Sequence, residues 1–199
     1  MTHSRTKIHD LLAGGGLAPR RDLGQNFVAD PNTVRRIASL ADVGPGDHVV
    51  EIGAGLGSLT LALAETGAEV TAIEVDRGIV PALRGVVAGL DNVRVVEGDA
   101  TDLDWSAVLA ASDRWTLVAN LPYNVATPLV CDLLDDVPAI DSLLVMVQRE
   151  VAERMAAGPG SKQYGAVSVK VAYWATARVA GMVPASVFVP RPNVESALV

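Results

Sequence analysis

Five short runs rich in β-branched and other apolar residues alternate with stretches patterned as helices. The runs are His48–Gly53, Val70–Val75, Val93–Gly98, Trp115–Leu121 and Ser142–Gln148. Between them lie Ser58–Thr66, Arg77–Val87, Trp105–Ala111 and Ala126–Asp135. Near-continuous apolar strands separated by helices need a parallel sheet covered on both faces. Two further runs, Val167–Ala175 and Val187–Val199, read as extended with no clear helix between them, which predicts a hairpin-like antiparallel edge. The expected fold class is α/β: a mostly parallel seven-stranded sheet with an antiparallel edge and helices on both faces. Asp30-Pro31 reads as the N-cap and first residue of a helix over Asn32–Ala41, and Gly44-Pro45-Gly46 as a turn. We expect one domain over residues 41–199, preceded by a basic extension and helix over residues 1–40.

The chain of 199 residues is 50% apolar and 20% charged, a globular composition. It lacks an apolar run of about 18 uncharged residues, so no membrane partner is expected. The amino terminus has no apolar stretch of the kind a secretory signal needs. A single cysteine, Cys131, excludes an internal disulfide and fits a reducing cytosol; a cytoplasmic location is expected. Cys131 sits among apolar residues and reads as core. The three histidines are scattered, so no metal site is expected. His48 reads as structural, and His3 and His9 as exposed. Residues 1–40 carry a net charge of +3 and residues 41–199 a net charge of −10. A polyanion would therefore be held only locally.

The first run ends in Glu51-Ile-Gly53-Ala-Gly55-Leu-Gly57-Ser58. Glycines at the carboxyl end of a first parallel strand let the backbone approach a ligand closely. In the dinucleotide fingerprint G-x-G-x-x-G the third glycine would fall at position 58, which is Ser58. Glu74 follows Gly53 by 21 residues and ends the second run, where a carboxylate is placed to accept ribose hydroxyls. Gly98-Asp99-Ala100 ends the third run, where Asp99 can reach an adenine amine. A glycine loop alone is weak evidence, and an acid at a strand end is often only a turn. The three together indicate an adenosine-bearing cofactor. The glycine spacing favours S-adenosyl-L-methionine over NAD, because that ligand has no pyrophosphate to seat on the helix.

The fourth run ends in Asn120-Leu121-Pro122-Tyr123-Asn124, at the crevice end of the sheet. The exocyclic amine of adenine is a poor nucleophile, because its lone pair is delocalised into the ring. The Asn120 side-chain oxygen and the main-chain carbonyl beside Pro122 can accept its two hydrogens. That draws the nitrogen toward sp³ geometry and frees the lone pair. Pro122 fixes the local backbone, and Tyr123 offers a face on which a flipped base can stack. Transfer by in-line displacement from a sulfonium then needs positioning and no strong base. The bland alternative is a strand-terminating turn.

With these residues in view, the chain resembles the small-subunit (16S) rRNA adenine N6,N6-dimethyltransferases, the kasugamycin-sensitivity methyltransferases. The resemblance runs from Leu23-Gly-Gln-Asn-Phe27 to Val199. It takes in Glu51-x-Gly53-x-Gly55-x-Gly57, Glu74-x-Asp76, Gly98-Asp99-Ala100, Asn120-Leu-Pro-Tyr-Asn124, Met146-Val-Gln148-x-Glu150, Gly160-Ser-Lys162-x-Tyr-Gly165 and Phe188-x-Pro190-x-Pro192. It implies a Rossmann-like S-adenosylmethionine-dependent methyltransferase fold. It implies dimethylation of two adjacent adenines near the 3′ end of 16S rRNA, within the small ribosomal subunit or its precursor. For the cofactor it implies Gln25, Asn26, Val28, Gly53, Gly55, Glu74, Asp99, Ala100 and Asn120. For methyl transfer it implies Asn120, Leu121, Pro122 and Tyr123. Tyr123 and Phe188 are expected to sandwich the target base, although a Phe before Pro-x-Pro reads equally as core. Arg20, Arg21 and Lys162 are candidate contacts to RNA phosphates, or simply solvated charges. We expect a monomer.

Three departures from the family pattern stand out. The family's helical C-terminal domain is expected to be absent from these residues, which puts rRNA affinity in doubt rather than the chemistry. The body is acidic for a polyanion binder. Val28 stands where Leu is usual. Three other readings are weighed: a related 23S rRNA adenine N6-methyltransferase conferring antibiotic resistance, a non-catalytic nucleic-acid or ribosome-binding relative, and a NAD oxidoreductase. Gly24 before Gln25, Asn124 and the Gly-Ser-Lys-x-Tyr-Gly segment argue against the first. Intact Glu74, Asp99 and Asn120 argue against the second. The glycine spacing argues against the third.

Overall fold

The computed structural model of the protein describes residues 2–122 and 125–199. In chain order its elements are α1 (Arg5–Gly14), β1 (Phe27–Val28), α2 (Pro31–Leu40), β2 (His48–Ile52), α3 (Ser58–Ala64) and β3 (Glu69–Glu74). They continue as α4 (Val80–Val87), β4 (Val93–Glu97), α5 (Trp105–Val108), β5 (Trp115–Asn120), α6 (Ala126–Asp136) and β6 (Ile140–Gln148). The last are α7 (Arg149–Met155), α8 (Ala166–Trp174), β7 (Gly181–Val183), a 3₁₀ turn (Ala185–Val187), β8 (Phe188–Val189) and β9 (Ser196–Leu198).

Seven strands form one sheet in the order β4-β3-β2-β5-β6-β9-β7, and β1 pairs only with β8. The five strands β4-β3-β2-β5-β6 are parallel, and β9 runs antiparallel to both neighbours. Alternate residues of each strand enter two separate cores. On one face Val50, Leu117, Ala119 and Val145 pack with residues of α5, α6, α7 and α8. On the other, Val49, Val118 and Met146 pack with α2 and α3, while Ala72 packs with Leu83 and Val87 of α4. This is the parallel sheet covered on both faces that the alternating runs predict, in the Rossmann-like form that the family resemblance implies.

Two expectations fail at the carboxyl-terminal end. Residues 167–175 are not a strand: α8 occupies Ala166–Trp174. The Val-Ser-Val-Lys-Val alternation imitates a strand, but tertiary contacts decide. Ser168 Oγ accepts from the Gly165 N–H and donates to the Arg154 carbonyl, and Val171 is buried against the α6 side of the sheet. The run Val187–Val199 is broken by its prolines into β8 and β9, which serve different sheets. The edge partner of β9 is β7, at Gly181–Val183. Two helices, α1 and α7, are present that the sequence pattern does not announce. α1 carries no strong amphipathic pattern, yet Ile8 and Leu12 seat it beside Phe27, Leu56 and Ile79. His3 is buried rather than exposed, with Nε2 2.9 Å from the Leu56 carbonyl. Burial pushes the His3 imidazole below its usual pKa. His9 is exposed, and Cys131 is buried as expected. Among the described residues no helix is long and apolar enough to cross a membrane.

Leu117 lies in the central strand and is fully buried. Leu117→Ala should cost about 2–5 kcal/mol, read as a lowered urea midpoint with an unchanged slope. A cost below about 1 kcal/mol would mean the core around β5 is loosely packed.

Candidate active site

The chain leaves β2 toward β3 and β5 toward β6, on opposite sides of the sheet, so a crevice opens at the carboxyl ends of these neighbouring strands. A cleft occupies it. Gly53, Gly55 and Glu74 line one part, Asn120, Leu121 and Pro122 another, and Gln25, Asn26 and Val28 a third. Nine of the residues expected from the sequence therefore meet in one place.

Main chain forms much of the floor. Gly53 and Gly55 have φ of 73° and 56°, the left-handed region that glycine adopts without strain. A Cβ on Gly53 would stand 3.6 Å from the Asn120 carbonyl oxygen, and one on Gly55 3.1 Å from the Phe27 ring. The loop is thus held close to both β5 and the Gly-Gln-Asn-Phe segment.

Glu74 is buried at the end of β3. Its Oε2 accepts the Gly55 N–H at 2.7 Å and its Oε1 the Asp76 N–H at 2.8 Å. Burial raises its pKa, and the two main-chain donors oppose that. Each oxygen keeps a lone pair for a further donor. Glu51, also buried and lining the cleft, accepts the Thr60 hydroxyl at 2.6 Å. Burial pushes the Glu51 carboxyl up to about 8, with the charge of Glu74 adding to the shift.

Asn120 donates from Nδ2 to the Asn26 carbonyl at 3.0 Å, and no donor among the described residues engages its Oδ1. Asn26 in turn donates from Nδ2 to the Gly24 carbonyl at 3.0 Å. Gln25 is committed at both ends of its amide: Oε1 accepts the Arg20 N–H at 2.8 Å, and Nε2 donates to Asp76 Oδ2 at 2.7 Å.

The other expected residues lie elsewhere. Asp99 is exposed beyond β4, and its Oδ1 accepts from the Thr101 N–H and hydroxyl. Ala100 is packed in the core with Leu121, and its carbonyl accepts from Trp105 Nε1. Phe188 is 1% exposed and packs with Val28, Val34 and Ile37, so it offers no face to a base in this structure. The pairing of β8 with β1 draws it inward. Arg20 and Arg21 are exposed, with Arg20 ion-paired to Asp22. Lys162 lies in the loop before α8, on a separate depression with Glu150, Glu153 and Arg154. Tyr123 lies outside the described residues. Glu51 and Asp76 stand inside the glycine-loop and Glu74-x-Asp76 motifs without a role legible from sequence; their burial is the signal, and only the fold reveals it.

The profile of the ribosomal RNA adenine dimethylase family matches residues 16–199. The chain belongs to the ribosomal RNA adenine dimethylase family. Among family relatives, a protein of Bifidobacterium longum subsp. infantis named ribosomal RNA small subunit methyltransferase A is 50% identical across 96% of this chain. A protein of the same name from Streptomyces coelicolor is 49% identical, also across 96% of this chain. The chain spans 65% of the length of the Bifidobacterium relative. Among solved structures, a dimethyladenosine transferase from Plasmodium falciparum is 28% identical with a TM-score of 0.74, covering 85% of this chain and 60% of its own. The 23S rRNA methyltransferase ErmE is 27% identical with a TM-score of 0.75, covering 87% of this chain and 68% of its own.

Burial favours the neutral acid at Glu51. Its contribution to stability is complete below about pH 4.5 and is lost as pH rises through about 8. The urea midpoint of the parent should fall across that interval, and Glu51→Gln should flatten the fall. Superimposable pH curves for the two proteins would remove Glu51 as its source.

Proposed function

We propose that this chain transfers methyl groups from S-adenosyl-L-methionine to N6 of two adjacent adenines near the 3′ end of 16S rRNA. The product is N6,N6-dimethyladenosine, formed during small-subunit biogenesis. The observation that carries the reading is the state of Asn120. Its N–H is tied to the Asn26 carbonyl while its Oδ1 remains an acceptor, in the cleft that Glu74 and the glycine loop also line. An amide fixed in this way accepts one hydrogen of the target amine, and a main-chain carbonyl of the Leu121-Pro122 step accepts the other.

The residues present fit the cofactor. The cleft is lined by main chain of the glycine loop, by carboxylate and by amide groups, the donor and acceptor set that a nucleoside with an amino-acid arm needs. The glycine loop lets main chain lie against it, and Glu74 keeps lone pairs for two ribose hydroxyls. When bound, S-adenosyl-L-methionine supplies an electrophilic methyl group on a sulfonium. Asn26 and Val28 wall the cleft beside Asn120, and Asp99 is assigned the adenine amine. Asn120, Leu121 and Pro122 orient the target amine, with Tyr123 stacking on the base. The neutral Glu51 keeps a second negative charge out of the floor. Arg20, Arg21 and Lys162 are the candidate phosphate contacts. The reading includes a monomer acting in the cytoplasm on the small subunit or its precursor.

The names of the relatives near 50% identity favour this substrate over 23S rRNA, whose methyltransferase ErmE is 27% identical. The assay is transfer of labelled methyl to unmodified small subunits, large-subunit rRNA and DNA, with products read by nucleoside mass spectrometry. Dimethyladenosine in small-subunit RNA alone is expected. Product confined to large-subunit RNA would favour the 23S reading, and cofactor binding without any transfer a binding protein. Asn120→Ala should abolish transfer while leaving weakened but measurable cofactor affinity; unchanged turnover would remove Asn120 from the mechanism. Glu74→Ala should weaken cofactor binding by about 1–3 kcal/mol in calorimetric titration, and an unchanged isotherm would take Glu74 out of the site.

A further inference from the structure

Residues 20–25 form a closed turn. The Gln25 N–H donates to the Arg20 carbonyl at 3.1 Å, and the Arg20 N–H donates back to Gln25 Oε1 at 2.8 Å. The free end of the Gln25 amide, Nε2, reaches across 51 residues of sequence to Asp76 Oδ2 at 2.7 Å. Asp76 is buried, at 6% exposure, and both of its oxygens are engaged: Oδ1 accepts the Gly78 N–H at 2.9 Å and lies 3.9 Å from the Arg20 guanidinium, and the Asp76 N–H donates to Glu74 Oε1. The next residue along the turn, Asn26, presents its carbonyl to Asn120 Nδ2. A connected path therefore runs by hydrogen bonds from Gly55 through Glu74 and Asp76 to Gln25, along the chain to Asn26, and by a further hydrogen bond to Asn120.

We infer that Asp76 is a positioning residue that clamps the 20–27 segment onto the crevice, and so sets the ribose-holding carboxylate and the amine-orienting amide together. The inference rests on the proposed methyltransferase reading, and it assigns Gln25 to the clamp instead of to direct contact with the cofactor. Three observations support it. Both polar atoms of the Gln25 amide already hold protein partners, which fixes its plane and its orientation. Nothing but this segment fixes the Asn120 amide among the described residues, so a displaced Asn26 carbonyl frees Asn120 to rotate. A hydrogen bond to a buried carboxylate is among the stronger ones and holds its geometry. Phe27, packed within 3.1 Å of where a Gly55 Cβ would stand, holds the same segment from the other end.

The polarity of the Gln25–Asp76 pair supplies the test. Gln25→Glu sets two carboxylates against each other. Asp76→Asn leaves one of the Gln25 and Gly78 donors without an acceptor. The double variant Gln25→Glu with Asp76→Asn restores every partner with the polarity reversed. The amide introduced at position 76 takes the Gly78 N–H on its oxygen and donates from its nitrogen to the carboxylate introduced at position 25. The other oxygen of that carboxylate takes the Arg20 N–H. Two readouts are needed: S-adenosyl-L-methionine affinity by calorimetry, and hydrogen exchange of residues 20–27 without cofactor. Each single variant should weaken affinity about tenfold or more and speed exchange in residues 20–27. The double variant should recover both. In the methyl-transfer assay the single variants should lower kcat as well as raise KM for the cofactor, because Asn120 is loosened with the ribose carboxylate.

A double variant no better than the worse single one would overturn the clamp. So would single variants with unchanged affinity. A parent chain that binds no S-adenosyl-L-methionine would overturn the functional reading instead, and exchange at residues 20–27 would still decide whether the pair holds the segment.

Discussion

A buried carboxylate sits at the junction of everything the crevice contains. Glu74 ends β3 and takes one main-chain N–H from the glycine loop and one from its own strand exit. A carboxylate removed from water is costly unless its oxygens are met by donors. Here the donors are the two backbone segments whose placement defines the cleft. The loop cannot move away from β3 without stripping an acceptor already desolvated. The same acid thereby shapes the site before any ligand arrives and keeps capacity to receive one.

The second wall depends on the first. The turn of residues 20–25 and the short strand that follows add few backbone bonds to the body, since β1 is two residues long. Side chains supply the rest: Gln25 to Asp76, Phe27 over Gly55, and the Asn26 carbonyl to Asn120. Each reaches a different element at the carboxyl edge of the sheet. Precision at this site comes from polar contacts whose partners are distant in sequence.

That distribution explains what the sequence disclosed. The sheet was legible because its strands are buried on both faces and read as continuous apolar runs. The glycine loop, Glu74 and Asn120 were legible because their position at strand ends is itself informative. The helix α8 was not, because Val167, Val169 and Val171 alternate as a strand would, and only contacts from α6 and α7 choose otherwise. Phe188 before Pro-x-Pro fits a base-stacking face and a core position alike, and its burial beside Val34 and Ile37 is fixed by a pairing of β8 with β1 that no local pattern announces. The roles of Glu51 and Asp76 depend on depth below the surface, which composition and spacing do not encode.

The pairing of β1 with β8 joins Val28 to Phe188, and the Arg5 guanidinium binds the Ser186 carbonyl across a similar span. Both contacts tie residues 5–28 to residues 186–189, more than 150 positions later in the sequence. During synthesis, residues 25–28 emerge early and then wait for their partner strand while nearly the whole sheet is made. Pairings of such long reach close late, since the loop entropy must be met first. The crevice is therefore completed in two stages, its floor with the central sheet and its outer wall only once residues 186–189 are in place. A nascent chain that has not yet reached residue 186 would carry a half-built pocket, and cofactor affinity would follow the closing of that pair.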